Sequence, residues 1–329
     1  MSEPTLPLVL ISHRLPEGWL ARLEGRCRMV VGPPEANRLA PELEAQLGEA
    51  EGLYALLTIR VDEALLERAP RLRVVSNMAV GVDNVDVAAC TRRGLPVGNT
   101  PGVLTEGTAD LALALLLASA RRLAEASRDA QEGRWVTWSP TGWLGADLHG
   151  ATLGIVGLGK IGRAVAERAR GFGLRLVYHD PGAPAEQAQA LGATSLELDE
   201  LLRASDFVSL HTPLTAETRH LIGERALRLM KPTAILINTA RGPVVETPAL
   251  VRALEEGWIG AAALDVTDPE PLPPDHALYS LPNCLVVPHI GSATQNTRRR
   301  MAERACENLL AGIEGRRLPF CVNPQVYEP

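Results

Sequence analysis

Apolar and polar positions alternate along this chain with two different periods. Runs of four or five residues with strand character occur at LVLIS (8–12), RMVVG (28–32), LYALL (53–57), LRVVS (72–76) and PVGN (96–99). Between them, near 17–24, 40–48, 62–69 and 86–93, apolar residues recur at helical spacing. Such alternation predicts a parallel sheet with helices on both faces. After Thr100-Pro101-Gly102 the pattern changes. Leu104 to Arg122 predicts a long, strongly apolar helix, buried between domains or subunits. Gly133 to Gly150, with Trp135, Trp138, Pro140 and Trp143, predicts an irregular arm, its tryptophans buried against something such as a second subunit. The alternation then resumes with TLGIV (152–156), LRLVY (174–178), FVSLH (207–211), AILINT (234–239), GAAALDV (260–266) and CLVVPH (284–289). Helices are expected near 197–203, 223–230 and 246–256. A last helix, from about 293 to 313, is long enough to leave the second sheet and return to the first. The class is therefore α/β with two doubly wound parallel-sheet domains. One spans 102–288 and is inserted into the other, which comprises 1–101 and 289–329.

The stretch from Thr152 to Asp180 organises the second domain. A strand runs into Gly157-Leu158-Gly159-Lys160-Ile161-Gly162. Apolar residues at helical spacing follow (Ile161, Val165, Ala169, Phe172), and a second strand ends at His179 and Asp180. Strand, glycine turn, helix, strand and acid in this order describe a dinucleotide-binding βαβ unit. Gly157 serves the tight turn, Gly159 lets backbone approach a pyrophosphate, and Gly162 brings helix and strand together. Amides at the helix start, from Lys160 and Ile161 onward, suit the phosphates. Asp180 accepts hydrogen bonds from an adenosine ribose and repels a 2′-phosphate. It argues for NAD(H) as the preferred cofactor, with NADP(H) possible.

Bulk properties exclude several other classes. The 329 residues exceed one ordinary core. A net charge of −6 with no basic run beyond Arg298-Arg299-Arg300 gives no nucleic-acid face. The longest apolar stretch, Leu111 to Ala118, is too short for a bilayer, and the N-terminus has no signal-peptide pattern. Five scattered cysteines without a CxxC pair fit reduced thiols in the cytoplasm and give no support to a metal site.

The strands of the second domain each run into a polar or turn segment at the carboxyl end, where ligands of open α/β sheets bind. These segments are His211-Thr212-Pro213, Asn238-Thr239-Ala240-Arg241-Gly242, Asp265 and His289-Ile290-Gly291. Among them Arg241, Glu270 and His289 carry the chemistry that a nicotinamide cofactor needs beside it. Histidine suits proton transfer near neutrality. A carboxylate beside it orients the ring and favours the imidazolium. Arginine grips a carboxylate in two places. Taken singly, Glu270 reads equally as a loop residue and Arg241 as a surface arginine, while His289, after a strand and before Ile-Gly, is harder to dismiss; together, on the cofactor side, the three favour catalysis. Gly81 taken alone reads as a turn glycine.

Several segments make the chain resemble the D-2-hydroxyacid dehydrogenases over essentially its whole length, most closely the glyoxylate/hydroxypyruvate reductases. They are AVGVDNVDVAAC (79–90), NTPGVLTEGTADLALALLL (99–117), TLGIVGLGKIG (152–162), LHTPLTAETRHLI (210–222), INTARGPVVE (237–246), ALDVTDPEPLPPDHAL (263–278) and PHIGSAT (288–294). The resemblance implies a Rossmann-type cofactor domain inserted into a flavodoxin-like substrate domain, with a cleft between them, and a homodimer. It implies Arg241 as binder of the substrate carboxylate, Glu270 as partner of the histidine and His289 as general acid/base. By the same resemblance the Val80 and Gly81 amides hold the carboxylate and Asp265 holds the nicotinamide carboxamide. Thr212 and Pro213 line the adenine side, and Thr108 and Thr239 belong with the cofactor. The implied reaction is reduction of a small 2-oxoacid to the 2-hydroxyacid. Two departures stand out. Asp110 replaces a usual glutamate, with a small packing change expected. His179-Asp180-Pro181 stands where NADPH-using glyoxylate reductases tend to carry arginine. Two rivals share the pattern: an NAD-sensing corepressor-like scaffold, expected to carry longer tails, and a short phosphoglycerate dehydrogenase. Formate dehydrogenases have glutamine where Glu270 stands.

Overall fold

A computed structural model describes residues 6–328, which form two compact units: one comprises residues up to 104 together with 294 onward, the other Thr105–Ala293.

The first unit is built on five parallel strands: β1 (Leu8–Ile11), β2 (Arg28–Val31), β3 (Gly52–Ala55), β4 (Val74–Asn77) and β5 (Val97–Gly98). Their order is β2-β1-β3-β4-β5, the doubly wound arrangement of flavodoxin. The central strands are buried along their whole length because both faces are covered, and apart from Ser76 and Asn77 at the end of β4 they carry mainly apolar residues. Leu8, Leu10, Leu53 and Val75 face one core; Val9, Ile11, Tyr54 and Val74 face the other. The second core is closed by the helix Gln295–Ile313 through Met301, Ala305, Leu309 and Ile313. That helix lies close to the sheet: a Cβ on Gly312 would come within 2.3 Å of Val74. Asp62 and Asp86 cap the helices Glu63–Arg68 and Val87–Arg92 by accepting from Leu65 and Ala89 N–H. The helices expected near 17–24 and 40–48 are smaller than their patterns. The first is a single turn, Ala21–Leu23, between Gly18 and Gly25, both at positive φ. The second breaks after Pro41–Glu44, where Gln46 leaves helical geometry at φ −109° and ψ 3°.

The second unit carries seven parallel strands. They are β6 (Thr152–Val156), β7 (Arg175–His179), β8 (Thr194–Ser195), β9 (Phe207–Leu210), β10 (Ile235–Asn238), β11 (Ala261–Leu264) and β12 (Cys284–Val286). The order β12-β11-β10-β9-β6-β7-β8 reverses direction between β6 and β9, which makes a topological switch point there. Because all strands are parallel, their carboxyl ends share one edge of the sheet. β8 escapes the pattern of apolar runs because it is two exposed polar residues at the sheet edge.

Three expectations change in this unit. The long apolar helix is Thr105–Ala120, and it is buried against its own unit's sheet through Ala109, Ala112, Leu113, Leu115 and Leu116. It stops short because Arg122 adopts φ 51°, after which a polar helix, Leu123–Gln131, begins. Residues 133–150 are irregular as expected; within the chain Trp143, Ala146 and Leu148 are half-buried, whereas Trp135 is 64% and Trp138 79% exposed. Phe172 is not part of the buried face of the glycine-loop helix. That helix ends at Arg170, and Phe172 lies exposed in the turn beyond it. Among the described residues no helix is long and apolar enough to cross a membrane.

Candidate active site

The three glycines after β6 are required for different reasons. Gly157 has φ +92°, and a Cβ there would lie 2.8 Å from the His211 backbone, so the turn packs directly on the segment after β9. At Gly162 a Cβ would lie 2.1 Å from the Gly157 carbonyl oxygen. Turn and helix–strand packing thus account for the first and third glycines. Gly159 is different: its φ is −66°, and a Cβ there would meet nothing within 4 Å. Neither backbone strain nor the chain's own packing demands glycine at that point. The open space beside it is what a pyrophosphate approaching the backbone requires. The helix Lys160–Arg170 begins here with no side-chain cap and no acid in its first turn, so its leading amides are left for an anion. Lys160 is exposed and Ile161 half-buried at this start.

Asp180, just past β7, accepts hydrogen bonds with both carboxylate oxygens, from Leu158 N–H at 2.7 Å and from Gly182 N–H at 2.9 Å. It therefore fastens the glycine loop to the end of β7, a role its position in the sequence does not reveal. Each oxygen retains a lone pair for a ribose hydroxyl. Thr212 is buried and donates its hydroxyl to the Pro213 carbonyl; Pro213 is exposed. Beside them His211 accepts or donates a 2.8 Å bond with the Ser209 hydroxyl. Enclosure of the ring pushes the His211 pKa down to about 4 although the residue as a whole is only half-buried.

The other strand ends form a second cluster. His289 Nδ1 lies 2.5 Å from Glu270 Oε1, a charge-assisted distance, and the other Glu270 oxygen accepts from Thr267 N–H at 3.2 Å. With Nδ1–H given to the carboxylate, Nε2 is the nitrogen left for a reacting group. His289 holds φ 51°, a left-handed conformation that costs a non-glycine residue about 1 kcal/mol. Its backbone N–H bonds to the Asp265 carbonyl at 2.9 Å, which keeps it there. Asp265 is buried and accepts from Ile290 N–H at 2.6 Å and Gly291 N–H at 2.9 Å. Burial pushes its carboxyl above the usual range, with those two hydrogen bonds and His289 acting in the opposite direction. Thr108 joins the group by donating to the Gly291 carbonyl at 3.2 Å.

Arg241 stands just after β10 and donates to the Ala240 carbonyl at 2.8 Å. Two features set its loop, and neither shows in an apolar–polar pattern. Asn238 is fully buried; it donates to the Arg241 carbonyl at 2.9 Å and accepts from Ala240 N–H at 3.0 Å. Gly242 packs so closely that a Cβ would lie 1.9 Å from the Thr267 carbonyl oxygen. The arginine loop and the loop that carries Glu270 are thereby in direct backbone contact. Thr239 is buried, and its hydroxyl has no hydrogen-bond partner among the described residues. Such an orphan at a strand end is a place for a ligand atom. Val80 and Gly81 belong to the first unit, half-buried in the loop after β4. Asp110 forms a 2.7 Å ion pair with Arg168, which also pairs with Glu106, and so links two helices of the second unit.

Residues 113–291 match the family model described as D-isomer specific 2-hydroxyacid dehydrogenase, NAD binding domain. The chain is 49% identical over 321 residues to the glyoxylate reductase of Korarchaeum cryptofilum, covering 97% of each. Among solved structures it resembles the TT0316 protein of Thermus thermophilus, with a TM-score of 0.89 and 50% identity over 96% of this chain and 99% of that one. It also resembles the NADPH-dependent glyoxylate/hydroxypyruvate reductase of Sinorhizobium meliloti in complex with NADP and malonate. That TM-score is 0.84, with 34% identity over 97% of both chains.

Proposed function

The chain belongs to the D-isomer specific 2-hydroxyacid dehydrogenases, and on that premise we propose that it reduces a small 2-oxoacid, glyoxylate or hydroxypyruvate, with NADH. The observation that carries this reading is the Glu270–His289 pair, 2.5 Å apart, with the loop of Glu270 packed against the one that bears Arg241. When bound, the nicotinamide supplies a hydride to the substrate carbonyl carbon. Arg241 and the Val80 and Gly81 amides bind the substrate carboxylate, and the arginine also polarises the carbonyl. His289 gives a proton from Nε2 to the developing alkoxide. Glu270 accepts from Nδ1 and holds the ring, so that the proton to be transferred is carried on the Nε2 edge. The same residues run backwards in oxidation of the 2-hydroxyacid.

The second unit takes the cofactor: phosphates at Gly157, Gly159, Lys160, Ile161 and Gly162, ribose at Asp180, and the adenine side at Thr212 and Pro213. The nicotinamide end falls to Thr108, Thr239 and Asp265. NADH is preferred because Asp180 sets a carboxylate where NADPH carries its 2′-phosphate; the NADPH-dependent Sinorhizobium relative keeps NADP(H) within range. Five unbonded cysteines support a cytoplasmic protein. The exposed Trp135 and Trp138 support a homodimer. Steady-state oxidation of NADH and NADPH with glyoxylate, hydroxypyruvate and larger 2-oxoacids tests the reading. Turnover of glyoxylate or hydroxypyruvate, faster with NADH, is expected. Tight NADH binding without turnover of any 2-oxoacid would replace the enzyme reading by that of an NAD-sensing scaffold.

A further inference from the structure

We infer that Asn99, supported by Asn77, is a positioning residue that holds the Val80–Gly81 amides in place for the substrate carboxylate; the inference rests on the reading of this site as a 2-oxoacid site. Three consecutive carbonyl oxygens in the loop after β4 are engaged. Ala79 O accepts from the backbone N–H of Thr100 at 2.9 Å, Val80 O from the Asn99 side-chain amide at 2.8 Å, and Gly81 O from the Asn77 side-chain amide at 2.9 Å. The Val80 and Gly81 N–H groups donate to no acceptor among the described residues. A planar trans peptide places N–H opposite the preceding C=O. Fixing Ala79 O therefore fixes the Val80 N–H, and fixing Val80 O fixes the Gly81 N–H on the other side of its peptide plane. Two adjacent amides with their planes held and no partner of their own make an anion site.

The holders are themselves held. The Asn99 backbone donates to the Phe320 carbonyl at 3.1 Å, and its own carbonyl accepts from the Asn308 side chain at 2.9 Å. Asn308 comes from the long C-terminal helix, is fully buried, and lies where a Cβ on Gly98 would come within 2.6 Å of it. Asn77 and Asn84 form a reciprocal amide pair, 3.1 Å each way, and Asn84 also donates to the Ile59 carbonyl at 2.9 Å. The loops after β3, β4 and β5 are thus tied together by carboxamides. Only a neutral donor serves at 77 and 99. Aspartate in the same shape would face a carbonyl oxygen with a lone pair and would repel an arriving carboxylate.

The test compares Asn99→Ala and Asn99→Asp with wild type at saturating NADH, using glyoxylate and its neutral methyl ester. Loss of a held donor to a charged group is worth about tenfold or more. Asn99→Ala is expected to raise the KM for glyoxylate by about that factor, with kcat and the KM for NADH changing much less. The preference for glyoxylate over the ester should fall to the same degree. Asn99→Asp should be worse than Asn99→Ala with glyoxylate but equal to it with the ester, a contrast that a general loosening of the fold does not produce. Titration of ¹⁵N-labelled protein with oxalate reads the site without catalysis: the Val80 and Gly81 amide resonances should move in wild type and require at least tenfold more oxalate in Asn99→Ala. If wild type reduces no 2-oxoacid, the proposed function fails and the oxalate titration alone decides the role of Asn99. An unchanged glyoxylate-to-ester preference, or unchanged oxalate shifts at Gly81 in Asn99→Ala, overturns the inference.

Discussion

In the proposed reaction His289 acts through Nε2, because Nδ1 is taken. Its Nδ1 is committed to Glu270, and the left-handed backbone that turns the ring there is held by a bond to Asp265. Replacing His289 by alanine removes the proton donor but none of the groups assigned to the cofactor. A loss in kcat of about a hundredfold is expected, with NADH affinity by fluorescence titration unchanged. Glu270→Gln keeps the shape and an acceptor oxygen while removing the charge. It should lower kcat by about tenfold and leave the KM for NADH alone. Wild-type turnover in Glu270→Gln would reduce Glu270 to a loop residue. Asp180 is proposed to work on two levels at once: its carboxylate fastens Leu158 to the end of β7, and it is assigned the cofactor ribose, where it would repel a 2′-phosphate. Asp180→Ala should lower kcat/KM with NADH by tenfold or more and shift the NADH-to-NADPH ratio towards NADPH. A wild-type kcat/KM higher with NADPH than with NADH would contradict the assignment of Asp180.

The strands place these residues, and their ends matter more than their middles. β9, β10 and β11 were legible as apolar runs, because strands buried on both faces need no polar alternation, and so was the half-buried edge strand β12. Their carboxyl ends were not: the expected spans run one to three residues beyond Leu210, Asn238, Leu264 and Val286. The polar residues that continue each run, His211, Thr239, Asp265 and His289, belong to loops instead. The glycine loop and the three charged residues could be read from the chain because each is a residue type with a chemical reason at its spacing. Contacts made across loops could not. Nothing in a string shows that Gly242 has no room for a Cβ beside Thr267, or that Asn238 shapes the arginine loop. His211 gives the end of β9 a measurable property. Its folded pKa of about 4 lies below the usual histidine value, so between those values the unfolded chain binds a proton that the folded chain refuses. Stability from this group is therefore complete above pH 6.5 and is lost as pH falls towards 4, by on the order of 3 kcal/mol in all. Denaturant titrations from pH 7 to pH 4.5 should show this loss in wild type and a shallower one in His211→Gln. Parallel slopes in the two proteins would mean that the ring is protonated in the fold.

On the scale of the whole molecule, the arm at 133–145 is the least explained part of a single chain. Its base is well fastened. Asp129 accepts from the Trp143 indole N–H at 2.7 Å and pairs with Arg134, and Ala146 N–H bonds to the Ala120 carbonyl at 2.8 Å. Gly145 sits so near Ala120 that a Cβ would come within 2.2 Å of its carbonyl oxygen. The tip between these anchors presents Trp135, Val136 and Trp138 to solvent, with Leu144 and Leu123 exposed nearby in sequence. Beneath the arm's end, Leu144, Ala118, Ala124, Pro282 and Leu285 line a groove of about 490 Å³. Fixing the base of a loop removes much of the ordering cost of a contact made by its tip. Apolar side chains presented in this way are a feature of association surfaces, and the proposed homodimer would set a like surface of the second copy against them. Light scattering at micromolar concentration should therefore give twice the 35.3 kDa chain mass. Trp138→Asp, which sets a charge on the exposed tip without touching the anchors, should shift the mass towards one chain and leave the far-ultraviolet circular dichroism unchanged. A single-chain mass in wild type at that concentration would rule the dimer out, and a dimer unaffected by Trp138→Asp would move the interface away from the arm.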